Sequence, residues 1–238
     1  GKSQEIEILN KLIDVDSKNI LFLERRVLLL QEIKDYELAI LDFNRLIKLD
    51  PKNWSYLYER ASIFIILDKK LLALNDLSNA ISINPKNLIL YTLRGFLYKA
   101  NKNYNAAIKN QLLLLKKQKT NKGKLLTYLE LAKLEIKKNS NSKDFASFQK
   151  SLEYCDQLIS LEPNKSRGYA CKCVIYTKCG LTQEKFKTDF PKNLIYKSSD
   201  GQESAKILKE FLSDKEVDNI FNFEMTKSIN KEFPRRKN

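Results

Sequence analysis

The chain of 238 residues contains no histidine, which removes the commonest general base and the commonest metal ligand. Glycine and proline are scarce, at six and five. A sheet protein of this length needs many tight turns, so their scarcity argues for helices. The glycines are scattered, and no glycine-rich phosphate loop can be assembled from them. No run of roughly 18 apolar residues occurs, so nothing reads as a membrane-crossing helix. No leader segment is visible. Gly1 stands directly ahead of a helical pattern, the look of a trimmed start, and the expectation is a bacterial envelope or periplasmic location ahead of the cytoplasm. The four cysteines, Cys155, Cys171, Cys173 and Cys179, fall late in the chain. A Cys-x-Cys pair on a helix sends its sulfurs to nearly opposite sides and chelates poorly. Cys155 and Cys173 are expected in the core, with Cys171 and Cys179 less constrained. In an oxidising compartment the pair to bridge would be Cys155 with Cys173. The acidic residues form no pair on one face. The expectation is therefore a non-enzymatic protein with no cofactor and no metal.

What is abundant is lysine and apolar side chains. Hydrophobic residues make up 43% of the chain, enough for a core, and charged residues 30%. Lysine and arginine outnumber acids 43 to 29, a net charge of +14. Lysine on solvated helix faces, from a genome whose codons favour it, is the ordinary reading. The sharper one is an anionic partner. It would use the stretch Lys99–Lys143, where twelve lysines face only Glu130 and Glu135.

The chain repeats itself. "LDPKNWSYLYERA" and "INPKNLILYTLRG" begin 34 residues apart, as do Pro51 and Pro85, and Asn19, Asn53 and Asn87. Units of 34 run over 20–53, 54–87 and 88–121. Position 8 then reads Val27, Ala61, Gly95; position 20 reads Ala39, Ala73, Ala107; position 4 reads Leu23, Leu57, Tyr91; and position 11 reads Leu30, Phe64, Tyr98. Positions 4, 8 and 11 share one face of a helix, as do 20, 24 and 27. Small residues at 8 and 20 let two antiparallel helices approach closely, and the large ones fill the gaps around them. The asparagine at 34 can cap the following helix, and proline at 32 cannot continue the preceding one.

This pattern, with turns such as "IKDYELAILDFNRLIKLDP" and "NKNYNAAIKNQ", resembles the tetratricopeptide repeat (TPR). The resemblance implies an all-α fold, a TPR-like α-solenoid of antiparallel helix pairs. It extends over 1–191: a half repeat at 5–19, and divergent repeats at 125–163 and 166–191, the first interrupted by about seven extra polar residues around "NSNSKD". Glu135 departs from the apolar pattern at position 11. Residues 192–238 form a C-terminal helical extension, with helices expected over 203–212 and 214–232 and a capping box of Ser213 with Glu216. The lysine-, asparagine- and isoleucine-rich wording is similar to TPR proteins of A- and T-rich bacterial genomes of the spirochaete kind.

In the family the first helices line a concave face that binds segments of other proteins. Carried onto this sequence, the lining positions are Leu21, Glu24, Arg25, Leu28, Gln31 and Glu32, then Ser55, Tyr58, Glu59, Ser62, Ile65 and Ile66, then Ile89, Thr92, Leu93, Phe96, Lys99 and Ala100. The subclass that grips chaperone C-terminal carboxylates places lysine, asparagine and arginine where this chain has Glu24, Leu28, Glu59, Ile89 and Leu93, so that function is excluded. The implied function is a protein-interaction scaffold whose partner contributes an apolar helix or extended segment. Two other fates of the apolar lining are tighter packing between repeats and occupation by the chain's own stripe Val217, Ile220, Phe221, Met225, Ile229. Nucleic acid is the disfavoured partner, because RNA-reading helical repeats place polar residues at the positions that are apolar here.

Overall fold

The computed structural model describes residues 1–181 and 201–220, which are helical and, among the described residues, contain no strand. Two compact units are present, Gly1–Asn101 and Lys102–Asn238. The first holds α1 (Lys2–Val15), α2 (Ile20–Glu32), α3 (Tyr36–Leu49), α4 (Trp54–Ile66), α5 (Lys70–Ile83) and α6 (Leu88–Ala100). The second holds α7 (Tyr104–Lys117), α8 (Asn121–Lys138), a 3-10 turn (Phe145–Phe148), α9 (Gln149–Leu161), α10 (Arg167–Lys178) and α11 (Gly201–Phe211). Residues 214–220 are helical again. The expected second helix at 182–190, the boundary at Pro191 and the remainder of 221–238 lie outside the described residues.

The helix boundaries follow from the capping chemistry. Asn19, Asn53 and Asn87 accept from the amides of Phe22, Ser55 and Ile89 at 3.3, 3.1 and 3.0 Å, which satisfies donors that the first turn leaves over. The turn between the helices of a pair recurs at position 15, where Lys34, Asp68, Lys102 and Gly180 have φ of 64°, 55°, 56° and 71°. Behind three of them the next amide reaches back to close the helix end: Asp35 to Leu30 at 2.8 Å, Lys69 to Phe64 at 2.7 Å, and Leu181 to Tyr176 at 2.8 Å. Gly180 adopts that conformation freely and Asp68 tolerates it, whereas at Lys34 and Lys102 the left-handed backbone costs roughly 1–2 kcal/mol.

Packing in the first unit uses the small residues as expected. Ala39, Ala61 and Ala73 are fully buried, and Leu23, Leu30, Phe43, Leu46, Leu57 and Leu77 fill the space around them. The second unit departs from the 34-residue pattern in three ways. α8 begins at Asn121, four residues before the expected Leu125, because Thr120 caps it through the Gly123 amide at 3.0 Å and no proline precedes it. The expected single helix over 144–163 is split. Asp144 caps the 3-10 turn through the Ala146 amide at 3.1 Å, and α9 starts only at Gln149. Glu135 is buried, with its carboxylate 3.7 Å from Lys138.

The cysteine expectation needs correction. Cys155, Cys171 and Cys173 are all fully buried free thiols, so Cys171 is as constrained as the other two. Cys155 on α9 meets Cys171 of α10, not Cys173, and burial followed by the Cys171 hydrogen bond pushes its thiol pKa well up. Val217 and Ile220 are also buried, in the core formed with Leu152, Cys155 and Val174, so the first part of the expected C-terminal stripe is consumed within the second unit. Phe221, Met225 and Ile229 lie outside the described residues. The capping box is present: the Ser213 amide and hydroxyl donate to Glu216 Oε2 at 2.8 and 2.7 Å.

Candidate partner-binding groove

The positions singled out on α2, α4 and α6 belong to the first unit. Their apolar members are not sealed among neighbouring helices: Leu21 is 73% exposed, Leu28 54%, Ile66 62%, Ile89 62% and Phe96 59%. Tyr58, Ile65 and Leu93 are half-buried, with Tyr58 lying edge-on to Trp54. Packing within the first unit thus hides part of this wall, at Tyr58, Ile65 and Leu93, and leaves the other five side chains open. Each such side chain would gain roughly 1.5–3 kcal/mol on full burial.

Most polar members of the wall are already engaged. Arg25 Nε donates to Glu5 of α1 at 2.6 Å, and Lys2 sits 3.0 Å from Glu32. Thr92 donates to the Leu88 carbonyl at 3.0 Å, and half-buried Lys99 is engaged by other groups of the chain. The Tyr56 hydroxyl of α4 donates to Glu24 of α2 at 2.5 Å and so ties neighbouring first helices together. Glu59 is exposed and has no hydrogen bond or ion pair among the described residues.

The Tyr56 contact has a pH signature. Burial, then the Glu24 carboxylate that accepts its proton, raises the Tyr56 pKa from 10.0 to about 12. A phenol whose folded pKa is raised stabilises the fold fully below its unfolded value and progressively less as pH climbs through the folded one. Urea denaturation should accordingly show about 2–3 kcal/mol of Tyr56-dependent stability disappearing between about pH 10 and pH 12. Tyr56→Phe is the measured control: subtracting its profile should isolate that slope, and superimposable profiles would refute the assignment.

A second set of residues escaped the sequence reading. Arg26 at position 7 forks onto Asp42 of α3 at 2.7 and 2.6 Å and reaches Asn10 of α1 at 2.7 Å. One repeat later Arg60 forks onto Asp76 of α5 at 2.8 and 2.6 Å and reaches Asn44 of α3 at 2.5 Å. Arg94 reaches Ser78 at 3.2 Å. Each arginine joins its first helix to the second helix of the preceding repeat, and Arg26 and Arg60 also grip that of their own. The forks fasten α2 to α3 and α4 to α5 within a repeat, while the single bonds to Asn10, Asn44 and Ser78 tie each first helix to the repeat before it. The signal was available: arginine at position 7 and aspartate at 23 recur with the same 34-residue period as the apolar positions.

In the second unit the basic stretch is partly spent. Lys133 and Lys137 both bind Glu210 of α11, the latter at 2.7 Å. Burial alone would raise the Glu210 pKa, but the two lysine hydrogen bonds outweigh it and hold the carboxyl below its usual range. Lys102, Lys109, Lys116, Lys119 and Lys122 remain exposed. A polar cleft of about 680 Å³ lies between Ser140–Lys143, Thr177–Gly180 and Glu216. Burial pushes the pKa of its thiol, Cys179, up, which keeps the sulfur protonated. Among the described residues no group of metal-ligating side chains assembles, and no helix is long and apolar enough to cross a membrane.

The tetratricopeptide-repeat family model matches residues 23–53. Among solved structures, the chain is similar to the MamA protein, with a TM-score of 0.52 at 18% identity over 68% of this chain and 83% of that one. It is also similar to YrrB, described as a TPR protein with an unusual peptide-binding site, with a TM-score of 0.52 at 11% identity over 88% of this chain and 94% of that one. A tetratricopeptide repeat protein from Parabacteroides merdae aligns with a TM-score of 0.50 at 19% identity over 92% and 91% of the two chains. No curated protein sequence matches the chain. At these identities the structural likenesses establish the fold.

Proposed function

We propose that this chain, whose residues 23–53 match the tetratricopeptide-repeat family model and whose fold is like that of such proteins, is an interaction scaffold that holds an apolar segment of a partner protein in the groove lined by α2, α4 and α6. One observation carries the proposal. Leu21, Leu28, Ile66, Ile89 and Phe96 line corresponding faces of three successive first helices and stand open to water. Large apolar side chains exposed in such number on one set of helices are what a monomer ordinarily keeps covered. The peptide-binding description of YrrB supports the reading in kind. Arg25, Glu32 and Glu24 are held by the protein's own groups, so the wall offers apolar contact with few polar groups that need new partners.

A second reading rests on the exposed lysines of the second unit: binding of a nucleic acid or an anionic membrane surface. Salt separates the two. Peptides selected on the protein from a displayed random library, labelled and followed by fluorescence anisotropy, should change affinity by less than about tenfold between 50 and 200 mM salt, because apolar burial is not an ionic interaction. Binding through 6–10 phosphate contacts would fall by about 10³–10⁵ over the same range. A labelled oligonucleotide that binds tightly with the steep slope, while no peptide is selected, would overturn the scaffold reading.

A further inference from the structure

Within the apolar wall, Glu59 is the charge that the protein leaves unmatched. It stands in the middle of the exposed face of α4, with Ser55 one turn before it, Ser62 one turn after it, and Tyr58 and Ile66 on the same side. The other acids of the wall have partners: Glu24 accepts from Tyr56, and Glu32 meets Lys2. The two serines cannot serve Glu59, because Ser55 donates to Asn53 at 2.6 Å and Ser62 to the Tyr58 carbonyl at 3.0 Å.

In water this carboxylate is solvated and costs nothing. A partner that covers Glu59 together with Tyr58 and Ile66 removes that water. A carboxylate desolvated without a counter-charge costs far more than the neighbouring apolar contacts return. The segment that covers the wall must therefore bring a cation to Glu59. We infer that the groove selects an apolar segment carrying one lysine or arginine at the register of Glu59, and rejects segments with an acid there. The inference rests on the reading that the wall binds a polypeptide segment, and adds the chemistry of that segment. The net charge of +14 does not oppose it. Charges beyond the Debye length of about 8 Å are screened at physiological ionic strength, whereas a cation in contact with Glu59 under a covering of apolar groups is not. The contact acts on register and discrimination more than on encounter rate.

The test is selection of random dodecapeptides on the wild-type protein, on Glu59→Gln and on Glu59→Lys, with Phe96→Glu/Ile66→Glu as the groove-blocked control. Peptides selected on wild type should be apolar with one recurrent lysine or arginine, and replacing that residue by norleucine should weaken binding at least tenfold. The penalty should vanish on Glu59→Gln, and Glu59→Lys should select aspartate or glutamate at the same place. Glu59 is exposed, so neither substitution threatens the fold. Apolar peptides that need Phe96 and Ile66 but show no charge preference would overturn this inference and leave the scaffold reading standing. Failure to select any peptide that the groove-blocked control loses would overturn both.

Discussion

Asp76→Ala should lower the stability of the protein by about 3–5 kcal/mol, because it leaves the Arg60 guanidinium largely buried without its counter-charge. Asp76 is 1% exposed and Arg60 18%, so solvent screens the pair little. The fork has two bonds under 3 Å, and Arg60 is further fixed by Asn44 and by its position 5.7 Å from the centre of the Phe64 ring. Asp42→Ala should behave alike, since Arg26 repeats the arrangement one unit earlier. The double replacement Arg60→Met/Asp76→Leu should cost less than Asp76→Ala alone, because it removes both charges and leaves no orphan. Urea denaturation monitored by circular dichroism measures all three. A loss below about 1 kcal/mol for Asp76→Ala would place the pair with ordinary surface ion pairs and remove its claim to hold α4 against α5.

Phe96→Glu combined with Ile66→Glu should abolish peptide binding while leaving the far-ultraviolet dichroism and the urea midpoint near wild type. The reason is the same exposure that makes the wall a candidate: both side chains are more than half open to water in the free protein, so little packing is lost. In a complex both would be covered, at roughly 1.5–3 kcal/mol each, and a buried glutamate would add its own desolvation cost. Binding should fall by more than about a hundredfold. Ile65 would be a poorer choice, because it is half-buried and its loss would mix stability with binding. Leu41→Glu with Leu72→Glu, exposed leucines on the second helices α3 and α5, is the matching control and should leave peptide binding intact. Unfolding of the groove variant would make its two positions core. Retained binding would move the interaction to another face.

The regular part of the fold was legible because its determinants are local and periodic. Asn19, Asn53 and Asn87 cap where the repeat places them. Ala39 and Ala73 are fully buried where the pattern asks for a small residue. Legibility failed where the period was broken. With Lys119 in the proline slot of the third repeat, Thr120 took over the cap and moved the start of α8. After the polar insertion, the turn at Phe145–Phe148 was invisible to a pattern tuned to α-helical spacing. Leu21, Leu28 and Phe96, placed on the partner-facing wall by the family resemblance, are open to water in the free protein.

By itself the sequence determined the elements of the regular repeats: where their helices begin and end, which face of each is apolar, and which residues are small enough to let two helices touch. Those properties depend on neighbours within one or two turns, and 34-residue repetition wrote them several times over. Tertiary structure alone decided the pairing of polar groups. Arg60 meets Asp76 sixteen residues away, Tyr56 meets Glu24 thirty-two residues away, and Cys155 meets Cys171 and not Cys173. Hydrogen bonds and ion pairs act over about 3 Å, and whether two distant side chains come that close depends on how one helix pair is rotated on the next.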